Sequence, residues 1–182
     1  TGFPFLEPPG GESLPPEIEA FLAEGPPPLL FTLGSAAVLS AGSFYEQSAL
    51  AAEALGQRAI LLTGDQPENV PSTLPPGVAA FPYASYASLF PRVSIIVHSG
   101  GIGTTAQALR AARPMLVVPW AHDQPDNARR VTDLGVARTI ARERYTAATA
   151  TREIRFLLED PEVARRAAEV GAMIAAEDGV AV

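Results

Sequence analysis

Short apolar runs recur along this chain, each bounded by Gly, Pro or small polar residues. Leu29–Leu33, Ala59–Thr63, Val78–Phe81, Ser94–His98, Met115–Val118 and Val136–Ile140 have the length and β-branched content of buried strands. Between them the apolar residues change to helical spacing. Phe44–Leu55 is one such segment, stopped by Gly56. Ala106–Ala112 continues a Gly-rich turn as a helix, and Pro114 closes it. Gln124–Leu134 ends at Gly135. Thr146–Leu158 and Pro161–Glu177 are two further helices, separated by the Asp160-Pro161 break. Tyr86–Phe90 reads as a short helix and Pro67–Gly77 as a loop. Strands that alternate with helices predict an α/β fold: a parallel sheet of about six strands with helices on both faces.

The first 28 residues follow a different pattern, rich in Pro, Gly and acidic side chains. Pro15–Gly25 can form a short helix, because Pro is tolerated in a first turn. The expected division is therefore a linker or N-terminal extension over 1–28 and one domain over 29–182. At 182 residues the chain is long enough for one sizeable core. It opens on Thr1 rather than Met, so a fragment or processed chain is expected.

Charge and composition then exclude several functions. The net charge of −7 argues against nucleic acid and anionic membranes as main partners. All thirteen basic residues are Arg, which reads as genomic bias or chance. With no Cys there is no disulfide framework and no thiolate zinc site, and two His cannot make a His-rich metal site. No metal and no cofactor are expected. No apolar run approaches the about 20 residues of a membrane span. No signal peptide is visible, so a cytoplasmic setting is the default.

The chemistry concentrates between Ser94 and Asn127. Gly100, Gly101 and Gly103 follow a strand and lead through Thr104 and Thr105 into a helix. Free backbone N–H groups and the positive end of the helix dipole converge at such a turn, which makes it an anion site. A tight turn without a ligand would satisfy the same pattern. The polar His122-Asp123-Gln124 loop follows the next strand, outside the carboxyl ends of the strands, where α/β folds bind ligands.

These pieces resemble the donor-binding signature of GT-B glycosyltransferases, two-Rossmann enzymes that use UDP- or dTDP-sugars. The branch they resemble glycosylates macrolides, sterols and plant secondary metabolites. The resemblance rests on His98, the turn Gly100–Thr105, Gln107, the stretch Pro119–Gln124 and Asn127. Phe31–Ser35 and the segment Phe81–Arg92 extend it. It implies a Rossmann-like donor domain with no acceptor domain, the first 28 residues following the interdomain connection. It also assigns roles. Ser35, His98, Gly100, Gly101, Gly103, Thr104 and Thr105 would hold the diphosphate. Tyr83, Ala84 and Gln107 would hold the nucleoside, and Asp123 and Gln124 the sugar.

Each of these residues also has a plainer reading. His98 fits a buried core His, and Ser99 holds the position that the motif His occupies in the plant branch. Gln107 fits a solvated helix residue; as a ribose ligand it replaces the usual Glu and can hydrogen-bond a diol only without charge assistance. Tyr83 fits the core, Ser35 a plain turn, and Asp123 an N-cap of the helix after it. His122 reads as a surface residue. Trp120 and Tyr145 are candidate sugar-stacking aromatics. Ala112 stands where the family usually has Gly; a positive φ there would cost about 1–2 kcal/mol.

Inverting transfer needs a stabilised leaving diphosphate, a base for the acceptor hydroxyl, and alignment of both substrates. The chain supplies only the first. No Asp-x-Asp metal motif stands near the turn, so N–H groups and the helix dipole would replace a metal. In the resembling family the base lies in the N-terminal domain, so no catalytic residue is expected here. The expected function is the donor half of a metal-independent glycosyltransferase with a small lipophilic acceptor. The alternatives are a non-catalytic nucleotide-sugar-binding or split-protein module, and half of a sugar-nucleotide epimerase.

Overall fold

A computed structural model describes residues 12–176 together with Phe3 and Phe5. Most of the first eleven residues of the expected linker, and Glu177 at the end of the expected last helix, lie outside the described residues.

Six strands form one sheet: β1 (Leu29–Thr32), β2 (Ala59–Leu62), β3 (Val78–Phe81), β4 (Ile95–His98), β5 (Met115–Val117) and β6 (Ala137–Thr139). Their order is β3-β2-β1-β4-β5-β6, and every neighbouring pair is parallel. All six match the apolar runs of the sequence. Several are shorter by a residue or two, because the flanking residue already turns: Leu33 has helical dihedrals of φ −104° and ψ −5°.

Alternate side chains leave each central strand on opposite faces, which builds two cores. Leu29, Phe31, Ile95, Val97 and Leu116 face one layer, made by α3 (Phe44–Leu55) and α7 (Ala147–Glu159). Leu30, Ile60, Ile96, Met115 and Val117 face the other. That layer holds α1 (Pro16–Ala23), α4 (Tyr86–Leu89), α5 (Ile102–Arg110), α6 (Gln124–Asp133) and most of α8 (Pro161–Ala175). One further short helix, α2 (Gly34–Ala37), follows β1. A doubly covered parallel sheet explains why the strands read as continuous apolar runs rather than alternating ones.

Local chemistry fixes the helix ends. Gly56 ends α3 at φ +63°. Thr146 and Thr149 exchange a capping box at the start of α7, and the Asp160 carboxylate accepts from the Glu162 N–H to start α8. Glu153 on α7 is buried, which pushes its carboxyl up. Hydrogen bonds from Arg138 on β6 and from Arg152 outweigh this and hold it below the usual range.

Ala112, just past α5, adopts φ +55°. The left-handed conformation considered from the sequence is therefore the one used. Its side chain is accommodated by Gly171 on α8: a Cβ on Gly171 would stand 2.6 Å from the Ala112 Cβ.

The strand order reverses between β1 and β4, whose last residues Thr32 and His98 are register partners. Loops from these two strands run to opposite faces and leave a crevice at their carboxyl ends.

Candidate functional site

A cavity of about 570 Å³ lies at this reversal, with Val38, Leu62 and Ile102 among its apolar walls. Of the residues expected at a ligand site, Ser35, Tyr83, Ala84, Gly103, Thr104 and Gln107 line it. His98, Gly100, Gly101, Thr105, Asp123 and Gln124 are not among the lining residues.

Gly101 precedes α5, and no side chain caps the helix there. The N–H groups of its first turn therefore lack helical partners, and the positive end of the helix dipole faces the cavity wall. An added Cβ on Gly101 or Gly103 would meet nothing within 4 Å, so the space in front of these residues is open. The two threonines diverge. The Thr105 hydroxyl donates to the Gly101 carbonyl at 3.0 Å. The Thr104 hydroxyl makes no hydrogen bond among the described residues and stands 3.4 Å from the Cβ position of Gly34. It remains available beside the helix N-terminus.

His98 is fully buried. Its Nδ1 accepts the Gly100 N–H at 3.0 Å, which places the ring proton on Nε2. Burial lowers its pKa to about 4, so the ring is neutral at pH 7. The Nε2 atom is buried with no hydrogen-bond partner among the described residues. His98 thus holds the turn from behind rather than lining the cavity. Beside it, the Ser99 hydroxyl donates to the Leu33 carbonyl at 2.8 Å. That bond joins the β4 turn to the β1 turn across the reversal, a role that sequence reading missed.

At the other end of the cavity Tyr83 is exposed, whereas Ala84 is buried. The core position considered for Tyr83 from the sequence is not the one it takes. Tyr86 also lines the cavity, with its hydroxyl 2.9 Å from Thr32 Oγ1 and its ring stacked on Phe90. Phe3 and Phe5 complete the wall, and the Arg110 guanidinium lies 4.6 Å from the Phe5 ring centre. The sequence offered no signal for either Phe, because a Pro-rich start has no periodicity to read.

The loop between β5 and α6 is tightly self-bonded. Gln124 Oε1 accepts from the Trp120 N–H at 2.7 Å and the Ala121 N–H at 3.1 Å. Between them His122, exposed as expected, adopts φ +59°. The Asp123 side chain is exposed and does not cap α6. Its Oδ2 instead accepts from Asn127 Nδ2 at 2.7 Å.

The two candidate stacking aromatics are committed elsewhere. Trp120 donates from Nε1 to the Ser40 carbonyl at 3.3 Å, and the Arg142 guanidinium covers its ring at 4.8 Å. Tyr145 is a core residue, stacked on Phe44 with its hydroxyl 2.8 Å from Ser48 Oγ. Burial pushes the Tyr145 pKa well above its usual value. Among the described residues no group of three or more His, Asp or Glu side chains could hold a metal ion, and no helix is long and apolar enough to cross a membrane.

Comparisons with known proteins agree with this geometry. A family model described as erythromycin biosynthesis protein CIII-like, C-terminal domain, matches residues 48–179. The O-mycaminosyltylonolide 6-deoxyallosyltransferase of Streptomyces fradiae is 39% identical over 181 residues, which is 99% of this chain and 42% of that protein. The vancomycin aglycone glucosyltransferase of Amycolatopsis orientalis is 38% identical over 131 residues, 70% of this chain and 31% of that protein. The solved glycotransferase of kitacinnamycin superposes with a TM-score of 0.75 at 29% identity, over 81% of this chain and 38% of that one. The chain spans less than half the length of each of these relatives. By sequence and by fold it belongs to the erythromycin biosynthesis protein CIII-like C-terminal domain family, the C-terminal domain of GT-B glycosyltransferases.

Proposed function

We propose that this chain is the donor-binding domain, residues 29–182 behind a connecting segment, of an inverting, metal-independent cytoplasmic glycosyltransferase. The full-length enzyme moves a sugar from a nucleoside-diphosphate sugar to a small lipophilic acceptor held by an N-terminal acceptor domain. The observation that carries this reading is the uncapped N-terminus of α5 opening on the cavity at the β1/β4 reversal. Tyr83, Ala84 and Gln107 receive the nucleoside. Ser35, the Thr104 hydroxyl and the N–H groups from Gly101 to Thr104 receive the diphosphate, and Asp123 and Gln124 face the sugar. The neutral His98 keeps the turn in shape and donates no charge.

The chemistry follows from that placement. As the glycosidic bond to phosphate breaks, negative charge grows on the diphosphate. Fixed N–H donors and a helix dipole stabilise that charge without reorganising. A hydroxyl acceptor also needs a base, and this half of the enzyme contributes none.

Calorimetry with UDP, dTDP and their sugars, with and without EDTA, tests the reading. Binding at millimolar concentration that EDTA leaves unchanged is expected, with no turnover onto a macrolide or sterol by this chain alone. Loss of binding in EDTA would refute metal independence. Turnover by this chain alone would refute its role as a half-enzyme.

A further inference from the structure

Asn127 lies on the first turns of α6 and is buried, with both hydrogens of its amide nitrogen engaged. One goes to the Gly100 carbonyl at 2.9 Å and the other to Asp123 Oδ2 at 2.7 Å. Gly100 is thereby held at both ends: His98 Nδ1 accepts from its N–H, and Asn127 donates to its C=O. In a trans peptide the C=O and the following N–H point in opposite directions. Fixing the Gly100 oxygen toward α6 therefore aims the Gly101 N–H away from α6. The same amide nitrogen holds the carboxylate that stands in the sugar-facing loop.

We propose that Asn127 is a positioning residue that locks the diphosphate turn and the sugar loop into one unit, so that the two ends of a sugar nucleotide are read together. The proposal rests on the donor-site reading given above. It requires that Asp123 act on the sugar through a geometry that Asn127 sets. Asp123 and Asn127 are then coupled in sugar recognition and not merely neighbours.

The test is a double-mutant cycle on the chain, comparing affinities for dTDP and a dTDP-sugar in Asp123→Ala, Asn127→Ala and the double variant. Asn127→Asp serves as a second variant that keeps the volume and removes the donor. Circular dichroism checks folding of each. Losing a hydrogen bond to a charged group corresponds to about 10- to 100-fold. Asp123→Ala is expected to weaken the sugar nucleotide by about that factor in the parent. In the Asn127→Ala background its further effect is expected to fall below about threefold. An equal effect of Asp123→Ala in both backgrounds overturns the coupling, whatever Asn127 does to stability.

Hydrogen exchange without ligand separates this outcome from failure of the donor reading. Faster exchange at the Gly101 and Ala121 N–H groups together in either Asn127 variant, with β1 unchanged, supports the lock. Unchanged exchange at both overturns it. If the parent binds neither nucleotide, the donor reading fails, and exchange alone decides the lock.

Discussion

At Gly100 the backbone sits at φ +87°, and a Cβ there would stand 2.8 Å from Val117 Cγ1 and 3.2 Å from the Gln124 carbonyl oxygen. One residue later, Gly101 has φ −58° and open space around it. The two glycines therefore differ in kind. Gly100→Ala should destabilise the fold by at least about 2 kcal/mol, from strain plus overlap with rigid neighbours. Gly101→Ala should cost under about 1 kcal/mol. Urea unfolding of both variants checks the contrast; equal losses would contradict it.

His98 gives a second prediction at this scale. Its folded pKa of about 4 lies below its ordinary 6.5 because burial disfavours the charged ring. Between those values the unfolded chain binds more protons than the folded one, so stability falls as pH drops from about 6.5 toward 4. The expected contribution between pH 7 and 4.5 is about 2–3 kcal/mol. His98→Asn keeps an acceptor for the Gly100 N–H but cannot titrate. Its loss of stability over the same pH interval should be smaller by about that amount, measured by urea unfolding at both values. An unchanged pH dependence would mean that the buried ring is not the titrating group. The sequence exposed the position of His98 at a strand end and left a buried core ring and a phosphate-facing ring both open; its burial decides for the first. That burial depends on which face of the sheet α5 covers.

Between elements, the contact of α5 with α8 turns on Ala112 and Gly171. The added Cβ of Gly171→Ala would also lie 3.0 Å from the Ala112 Cα and from the Leu109 carbonyl oxygen. Overpacking of this kind costs about 1–3 kcal/mol. Ala112→Gly removes the nearest of these atoms and relieves a non-Gly positive φ. In that background Gly171→Ala should cost about 1 kcal/mol less, a coupling that a thermal or urea double-mutant cycle reads directly. Additive effects would show that the helices adjust independently. The possibility of a positive φ at Ala112 was legible from the sequence. Its partner was not, because Gly171 lies about sixty residues away on another helix. The strands and most helices were legible for the reason the fold is stable: a doubly covered parallel sheet needs continuous apolar runs. Tyr145 misled, because an aromatic near a polar loop looks like a ligand platform until Phe44 is seen stacked against it. Ser99 was unreadable as a bridge because the β1 and β4 turns it joins meet only where the strand order reverses, and Asn127 because its bond to Gly100 forms only once β5 pairs with β4.

For the whole molecule, strand order decides where chemistry can occur. The sequence predicted a six-stranded parallel sheet but not that β1 and β4 would be neighbours. That adjacency brings Ser35, Gly103 and Thr104 to one cavity. The central claim is that the N–H groups at the start of α5 hold a nucleoside diphosphate. Gly101→Val places a side chain in the open space before those groups, at a backbone conformation that Val can adopt. The most direct measurement is calorimetric titration of the parent chain and of Gly101→Val with dTDP and UDP, with circular dichroism confirming that both are folded. The expected result is binding of at least one nucleotide by the parent and a loss of at least about tenfold in the variant, about 1.4 kcal/mol. Equal affinity in the two folded proteins, or no heat with either nucleotide in the parent, would contradict the claim.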